Sequence, residues 1–458
     1  MKKIGLPLLI LLLSLLWLPA QADTLRVDGD SLPSLTAALA AARDGDEIIL
    51  APGVYDDTRE AFPLIVDKRV TIRGEGEAKP VIQVPILKTG LRITAPQVVL
   101  DGLDIQFLRY GIWALADDVT IQNCTLTLAD EAWRIASCGI WFGGCKRAAL
   151  LNNTFVGCGI AFAGPEQTEQ THGVPVLTAL FEVGEDIEFF TTHTIENNTV
   201  NGKPLRVIIG LENTEFSEEC GQVVAVQCAN TVFHDMELSR TSIGLQFYYC
   251  DHVTARRINV DDSGVFGVYV AKTEGAVVED CSGNGSSHGF DVRDAKNTLF
   301  RNCQANDCGQ GIFLSWGHNS LVTDCEMLRC GTGFFSASGS SNHLQRSVIS
   351  GCELGMYIQH EPIFTVSDTQ LTQNSECGTR VTDTGLIAWE NVYRDNFVGV
   401  MGLNGSSVLV KDCSFSGNSN RSVFVKDSGN IQLLGNQWSE ADAALTEFVN
   451  SQAPLLLP

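Results

Sequence analysis

The sequence predicts an all-β solenoid, a coil of short parallel strands with about 22 residues per turn. The first observation is a recurring phrase. "TLFRNCQANDCGQGIFLSWGHN" begins at Thr298 and "SLVTDCEMLRCGTGFFSASGSSN" follows at Ser320; further units at Thr231, Val253, Ala276 and His343 make six in succession, each 21 to 23 residues long. The second lies inside each unit: two short pieces with period-two alternation, such as "TLFRNC" and "GIFLSW", separated by Gly, Asn, Asp and Ser turns. The third is what the units lack. None offers a helix of ten residues, and none carries the fixed Leu and Asn framework of a leucine-rich repeat. Parallel pairing normally needs a long crossover, and here one turn of the coil supplies it.

The chain opens with Lys2 and Lys3, an apolar run from Leu8 to Leu18 and small residues up to Ala22. This reads as a secretory signal over residues 1–22, so the mature protein is expected to be exported, periplasmic or extracellular, without a membrane span. The 458 residues are 44% apolar, with 43 Gly and only 14 Pro, enough for a large core. A net charge of −23 opposes nucleic acid and acidic membranes. It also opposes polyanionic sugars unless a local basic cluster or a cation bridges them.

The coil is expected to span residues 23–438. "SLPSLTAALAAARDGDEIILAPGVY" begins it, with Ser34 as N-cap of an amphipathic cap helix over about 34–42. Such a cap covers strand edges and core that an open first rung would expose. Shorter echoes of the repeat follow at "VTIQNCTLTLADEAWRIASCGIWFGG" and "ALLNNTFVGCGIAFAG". An irregular insertion is read at about 163–195, then "NTVNGKPLRVIIGLENTEF", the six regular units, the echo "VLVKDCSFSGNSNRSVFVKDSGN" and a C-terminal cap or tail at 439–458.

From Leu25 to Trp438 the chain resembles the right-handed β-helix proteins of pectin-lyase-like fold. More narrowly, it looks like the NosD and carbohydrate-binding/sugar-hydrolase repeat group. The opening "GDEIILAPGVY" strand behind a cap helix and the Asn-Gly-Lys-Pro unit at 201–204 carry that resemblance. It implies a right-handed coil and an association with sugars or with accessory roles in the periplasm. Copper handling, which the NosD association suggests, finds no support in residue patterns: the eight His and five Met form no H-x-H or M-x-x-M cluster.

Cysteines recur in register with the coil. Cys281, Cys303 and Cys325 are 22 residues apart, as are Cys308, Cys330 and Cys352. Equivalent positions stack at the ~4.8 Å strand spacing, which suits an inward ladder of small apolar side chains and also lies within disulfide reach.

Aligning the strand that follows each unit's Gly gives an outward column of Trp113, Trp141, Gln246, Tyr269, Asp291, Phe313, Phe335 and Tyr357. Six of the eight are aromatic on a face expected to meet solvent, so Trp113, Trp141, Tyr269, Phe313, Phe335 and Tyr357 are the expected polysaccharide-binding residues. The alternative is that protein covers the stripe: a loop, the tail or a partner chain. Asp291 and Arg293 interrupt the column with charge, His288 precedes them, and Asp261 and Asp262 lie one coil earlier. Carboxylates beside a His are what acid–base cleavage of a glycosidic bond needs, so these five are the candidate catalytic residues of a hydrolase or lyase. "VDDSG" followed by "SHG" loosely resembles the polygalacturonase order, but the flanking Asn-x-Asp and Arg-x-Lys of that family are not recognisable, and the Asp-Pro-His-Asp signature of mannuronan epimerases is absent. No metal site or cofactor is indicated; Ca²⁺ stays open without a motif.

The expected function is therefore an exported β-helix that binds, and in one version processes, polysaccharide along the aromatic stripe. The alternative is a non-enzymatic NosD-like accessory or scaffold protein that presents the same face to a protein partner.

Overall fold

Short strands stacked in parallel register build the whole chain, as a computed structural model shows for residues 22–86, 88–129, 137–163, 186–451 and 455–457. Residues 1–21 of the expected signal sequence and 164–185 of the expected insertion lie outside these described residues. About 18 turns of coil follow one another. Among the described residues the only helices are Leu35–Ala41, Glu188–Thr191 and Glu440–Ala443.

The first helix closes the N-terminal end. Ser34 Oγ accepts the Ala37 N–H at 3.0 Å, and the Glu60 carboxylate takes the Leu35 and Thr36 N–H groups at 2.8 and 2.7 Å. Donors left free by the first helical turn are thereby satisfied. Leu35, Ala38 and Leu39 are buried against the first rung.

Three sheets surround the first core. One runs in seven strands from Thr24–Val27 to Thr194–Glu196, a second from Val54–Tyr55 to Thr199–Val200, and the third contains Leu64–Val66, Thr89–Ile93, Tyr110–Ala114, Cys138–Gly143 and Ile160–Ala163. The regular units form a second core inside their own sheets, with Phe290, Phe300, Ile312, Val322, Phe334 and Leu344 stacked within it. One corner of each unit repeats a left-handed residue, as at Asp280, Asn302, Asp324, Arg346 and Asp368, with φ between 44° and 57°. Asp and Asn tolerate that conformation better than other side chains with a Cβ, hence their recurrence in the turns.

Between the segments the coil reverses. Strand Thr199–Val200 pairs antiparallel with Lys203–Ile209 across Asn201-Gly202 (Val200 opposite Lys203), although every pairing on either side is parallel. The shared sheet thus continues while its inside and outside exchange. On the next strands Val223, Ala225, Leu245, Phe247, Val268 and Val270 enter the second core. Their alternates Val224, Val226, Tyr248, Tyr269 and Ala271 join the first core. The outer face of the second segment therefore floors the open end of the first. Polar side chains complete the joint: Gln222 Nε2 donates to Ile160 O (2.7 Å) and its Oε1 accepts Ile160 N–H (2.9 Å). Ser242 Oγ accepts the N–H groups of Gly139 (3.3 Å) and Gly159 (2.8 Å), and the Tyr248 hydroxyl donates to Phe162 O (3.0 Å). These bonds give the last strand of the first segment what a further strand would otherwise supply.

All fifteen cysteines are free and buried. Most of the thiols donate to carbonyls of the preceding coil, as with Cys308 to Gly283 O (3.2 Å) and Cys330 to Ala305 O (3.1 Å). Asparagines at a neighbouring corner form a second ladder: Asn374 Nδ2 donates to Asn396 Oδ1 (2.9 Å), Asn396 to Asn418 (3.2 Å), and Asn418 to Asp442 Oδ1 (2.9 Å).

One core position carries an acid without a cation. Glu361 is 1% exposed and its carboxyl accepts the Ser336 hydroxyl and the Asn342 amide (3.3 Å to Oε1). Burial pushes its pKa up, and the bonds from Ser336, Asn342 and the Gly339 N–H offset this only in part. A carboxyl whose folded pKa is raised lends stability that is full below its unfolded pKa and lost as pH rises through the folded value. Glu361→Gln is therefore expected to melt a few degrees higher than the parent at pH 7 and level with it near pH 4, measured by thermal denaturation across pH.

Candidate functional site

The aligned strands do stack in register. Gln246, Tyr269, Asp291, Phe313, Phe335 and Tyr357 form one outward row, rung after rung. Trp113 and Trp141 pair with each other, but on the third sheet of the first segment, so the expected stripe is two separate rows.

Their exposure differs from the expectation for a solvent-facing stripe. Trp113 and Trp141 are 5% and 2% exposed, Tyr269 is fully buried and Phe313 is 6% exposed. For Gln246 and Tyr269 the reason is the joint: Gln246 Nε2 donates to Ile160 O at 3.1 Å, and the Tyr269 ring packs edge-on to Tyr248 at 5.5 Å, against the first core. Alternation sets which way a side chain points, but what lies over it depends on how the segments dock. Phe335 and Tyr357 remain partly exposed. Beyond them the row continues through Arg380, Met401 and Phe424, all partly exposed. Sequence reasoning missed these three. The signal was present, because "GTRVT" and "GVMGL" extend the same Gly-led alignment.

Within the row the rings are ordered. Phe313 and Phe335 stack face to face, 4.8 Å apart with an interplanar angle of 4°. Tyr357 is turned by 78° from Phe335, and the Arg380 guanidinium lies 5.1 Å from its ring centre. The Tyr357 hydroxyl donates to Gln359 Oε1 at 2.9 Å.

The structure brings His288, Asp291 and Arg293 together. Asp291 is fully buried; Arg293 Nε donates to its Oδ1 (2.8 Å) and a terminal Arg293 nitrogen to its Oδ2 (3.0 Å), while His288 Nδ1 faces Oδ2 at 2.7 Å. His288 lies between Phe266 and Phe313, at 5.0 and 5.1 Å from their ring centres, and the Arg293 guanidinium is 5.1 Å from the Phe313 centre. Burial pushes the Asp291 carboxyl up, but the Arg293 charge and the His288 bond outweigh it and hold the group below the ordinary carboxylate range. The result is an ionised carboxylate held by the Arg293 guanidinium and by His288, both on its own strand.

Asp261 and Asp262 sit elsewhere, in the turn before strand Phe266–Ala271. Asp261 Oδ1 accepts the Asn284 N–H at 2.7 Å, and Asp262 occupies a left-handed corner with φ of 57°. The bonds of the Asp291 carboxylate go to His288 and Arg293, not to this corner. Among the described residues no group of three or more His, Cys, Asp or Glu is arranged to hold a metal ion.

Residues 243–392, which contain this row as far as Arg380, match the family model described as a right handed beta helix region. The fold is a right-handed parallel β-helix. Residues 28–202, the first segment of the β-helix, match a family described as a protein of unknown function, DUF1565. Similar solved structures include the periplasmic alginate epimerase AlgG, at 11% identity and a TM-score of 0.30 over 90% of this chain and 85% of that one. Others are the A-module of mannuronan C-5 epimerase AlgE4 from Azotobacter vinelandii (14%, TM-score 0.30, 92% and 91%) and a hyperthermoactive exopolygalacturonase from Thermotoga maritima (11%, TM-score 0.26, 96% and 92%). No curated protein sequence matches the chain. No helix of the described β-helix is long and apolar enough to cross a membrane.

Proposed function

We propose that this β-helix is an exported protein that binds a linear polysaccharide along the row Phe335–Tyr357–Arg380–Met401–Phe424. One observation carries the reading: five consecutive rungs each offer one partly exposed large side chain in the same column, parallel to the solenoid axis. A periodic surface of this kind matches a polymer with a periodic backbone, and an aromatic or guanidinium plane beside each sugar supplies contact area at small entropic cost. Tyr357 is the principal platform, since Phe313 and Phe335 spend facing ring surfaces on each other. Trp113, Trp141 and Tyr269, expected binders from sequence, are too buried to act as platforms in this arrangement.

Asp291 is fully buried and bonded to His288 and Arg293, so the reading is one of binding alone, and the five candidate catalytic residues Asp261, Asp262, His288, Asp291 and Arg293 carry no processing step in it. A second reading, a non-enzymatic accessory protein, draws on the joint. The same outer face already receives protein where the first segment docks on it.

Binding of the mature protein to an array of neutral and acidic polysaccharides separates the two. The first predicts retention of at least one glycan, weakened about tenfold in Phe335→Ala/Tyr357→Ala, the ~1.4 kcal/mol of a lost aromatic contact. No retention of any glycan, or retention unchanged in the double variant, rejects it in favour of the accessory role.

A further inference from the structure

The other aromatic row, on the first segment, carries donors that have nothing to donate to. On the outer face of its third sheet Arg92, Trp113 and Trp141 stand in one row, with Thr89 and Tyr110 in the next. The Arg92 guanidinium lies 5.6 Å from the Trp113 ring centre and that of Arg109 5.3 Å from Tyr110, whose ring meets Trp141 edge-on at 6.2 Å. The six side chains therefore form one contiguous cluster.

Within it Thr89 Oγ1, Trp113 Nε1, Arg92 Nε and Arg109 Nε make no hydrogen bond. Thr89 and Trp113 are 3% and 5% exposed, so water does not satisfy them either. A buried donor left unmade costs about 1–3 kcal/mol, and several at one place mark a position that a ligand completes. The charges point the same way. Arg147, Arg257, Arg329 and Arg346 all form ion pairs with aspartates. Among the described residues neither Arg92 nor Arg109 does, in a chain of net charge −23 where carboxylates are abundant. Arg92 and Arg109 are partly exposed as residues, although their Nε atoms are buried.

We infer that this cluster is an anion site that takes the carboxylate of an acidic saccharide. Three of the four unmade bonds belong to groups that can only donate, Arg92, Arg109 and the Trp113 indole, and the fourth is a hydroxyl that can turn its hydrogen to the ligand. An anion accepts from all of them, and paired guanidiniums suit the two oxygens of a carboxylate. The rings of Trp113, Trp141 and Tyr110 are buried, so the ligand is held by the donors and not by stacking on ring faces. The cluster is also the local basic exception through which a strongly acidic protein accepts an acidic ligand. This site is independent of the row from Phe335 to Phe424.

Isothermal titration of the full mature chain at low ionic strength tests it with three probes: a uronic-acid trisaccharide, the corresponding neutral trisaccharide and inorganic sulfate. The uronic trisaccharide is expected to bind, sulfate to compete weakly and the neutral sugar to give no heat. Arg92→Gln/Arg109→Gln should weaken the uronic trisaccharide at least about tenfold while Arg92→Lys/Arg109→Lys retains most of the binding. Trp113→Phe, which keeps a ring but loses the N–H, should weaken it less. Circular dichroism and melting temperature establish that each variant is folded, and Phe335→Ala/Tyr357→Ala should leave this binding unchanged. Equal binding of the neutral sugar, binding of sulfate alone, or uronic binding indifferent to both arginines overturns the assignment.

Discussion

Asp291→Ala is expected to destabilise the protein by about 3–5 kcal/mol, the cost of leaving the buried Arg293 guanidinium without its carboxylate. Arg293 and His288, 8% and 5% exposed, would both lose the carboxylate they face. The chemical-denaturation midpoint reads the effect. Replacing all three groups by apolar residues of similar volume (His288→Phe, Asp291→Leu, Arg293→Met) should recover most of the loss, because the triad offsets its own desolvation and contributes little beyond that. A loss below about 1 kcal/mol for Asp291→Ala would mean that solvent reaches the group. The pH dependence has a definite sign. Asp291 has a folded pKa held below its unfolded value, so its contribution is present above the ordinary carboxylate pKa, about 3.9, and disappears as pH falls through the folded value. Glu361 acts in the opposite sense, so the two acids narrow the pH range of maximum stability from both sides.

Asp442→Ala should produce a loss of similar size, confined to one end. The fully buried carboxylate accepts the N–H groups of Gly417 (2.8 Å) and Asn418 (3.2 Å), the Asn418 amide (2.9 Å) and the hydroxyls of Ser422 (2.8 Å) and Ser439. Leaving even two or three of these donors unpaired costs about 3 kcal/mol or more. Coils contact only their neighbours, so the opening should start at the last coil and fade along the chain. Amide exchange is expected to accelerate most over residues 414–449 and little before residue 350. Asp442→Asn, which keeps one carbonyl acceptor, should be much milder. Uniform destabilisation of the whole chain would show instead that the solenoid unfolds as one unit.

The repeat made most of the architecture legible. A 22-residue period with alternating strands dictates which side chains share a column, and the row from Gln246 to Tyr357 stacks as alternation requires. The N-cap at Ser34 was readable for the same local reason. The reversal at Asn201-Gly202 was not. A two-residue turn signal says that the chain folds back, but the side of the sheet on which the next coil is built depends on packing between residues 62 to 103 apart in sequence. That one event buries Tyr269 and divides the aromatic residues into two rows. Similarly, "VDDSG" and "SHG" are neighbours in the repeat, yet coil geometry puts Asp261 on a corner and Asp291 on a strand face. Arg92 and Arg109 carried no pattern of their own; their significance comes from bonds that go unmade in three dimensions.

The reversal also has a consequence for how the chain reaches its native state. Gly139 and Ser242, which meet at the joint, are 103 residues apart. The first segment has a lid at its N-terminal end from the start, but its floor consists of side chains between Gln222 and Ala271 that emerge later. Until they arrive, Ile160–Ala163 is a bare strand edge above an open apolar core, the kind of surface that recruits other chains. Closure across so long a loop is slow compared with rung-by-rung growth. The second segment, whose coils each rest on the one before, can grow without waiting. The first half of the molecule is thus made first and completed later, and its most aggregation-prone moment falls between the synthesis of residue 163 and that of residue 271.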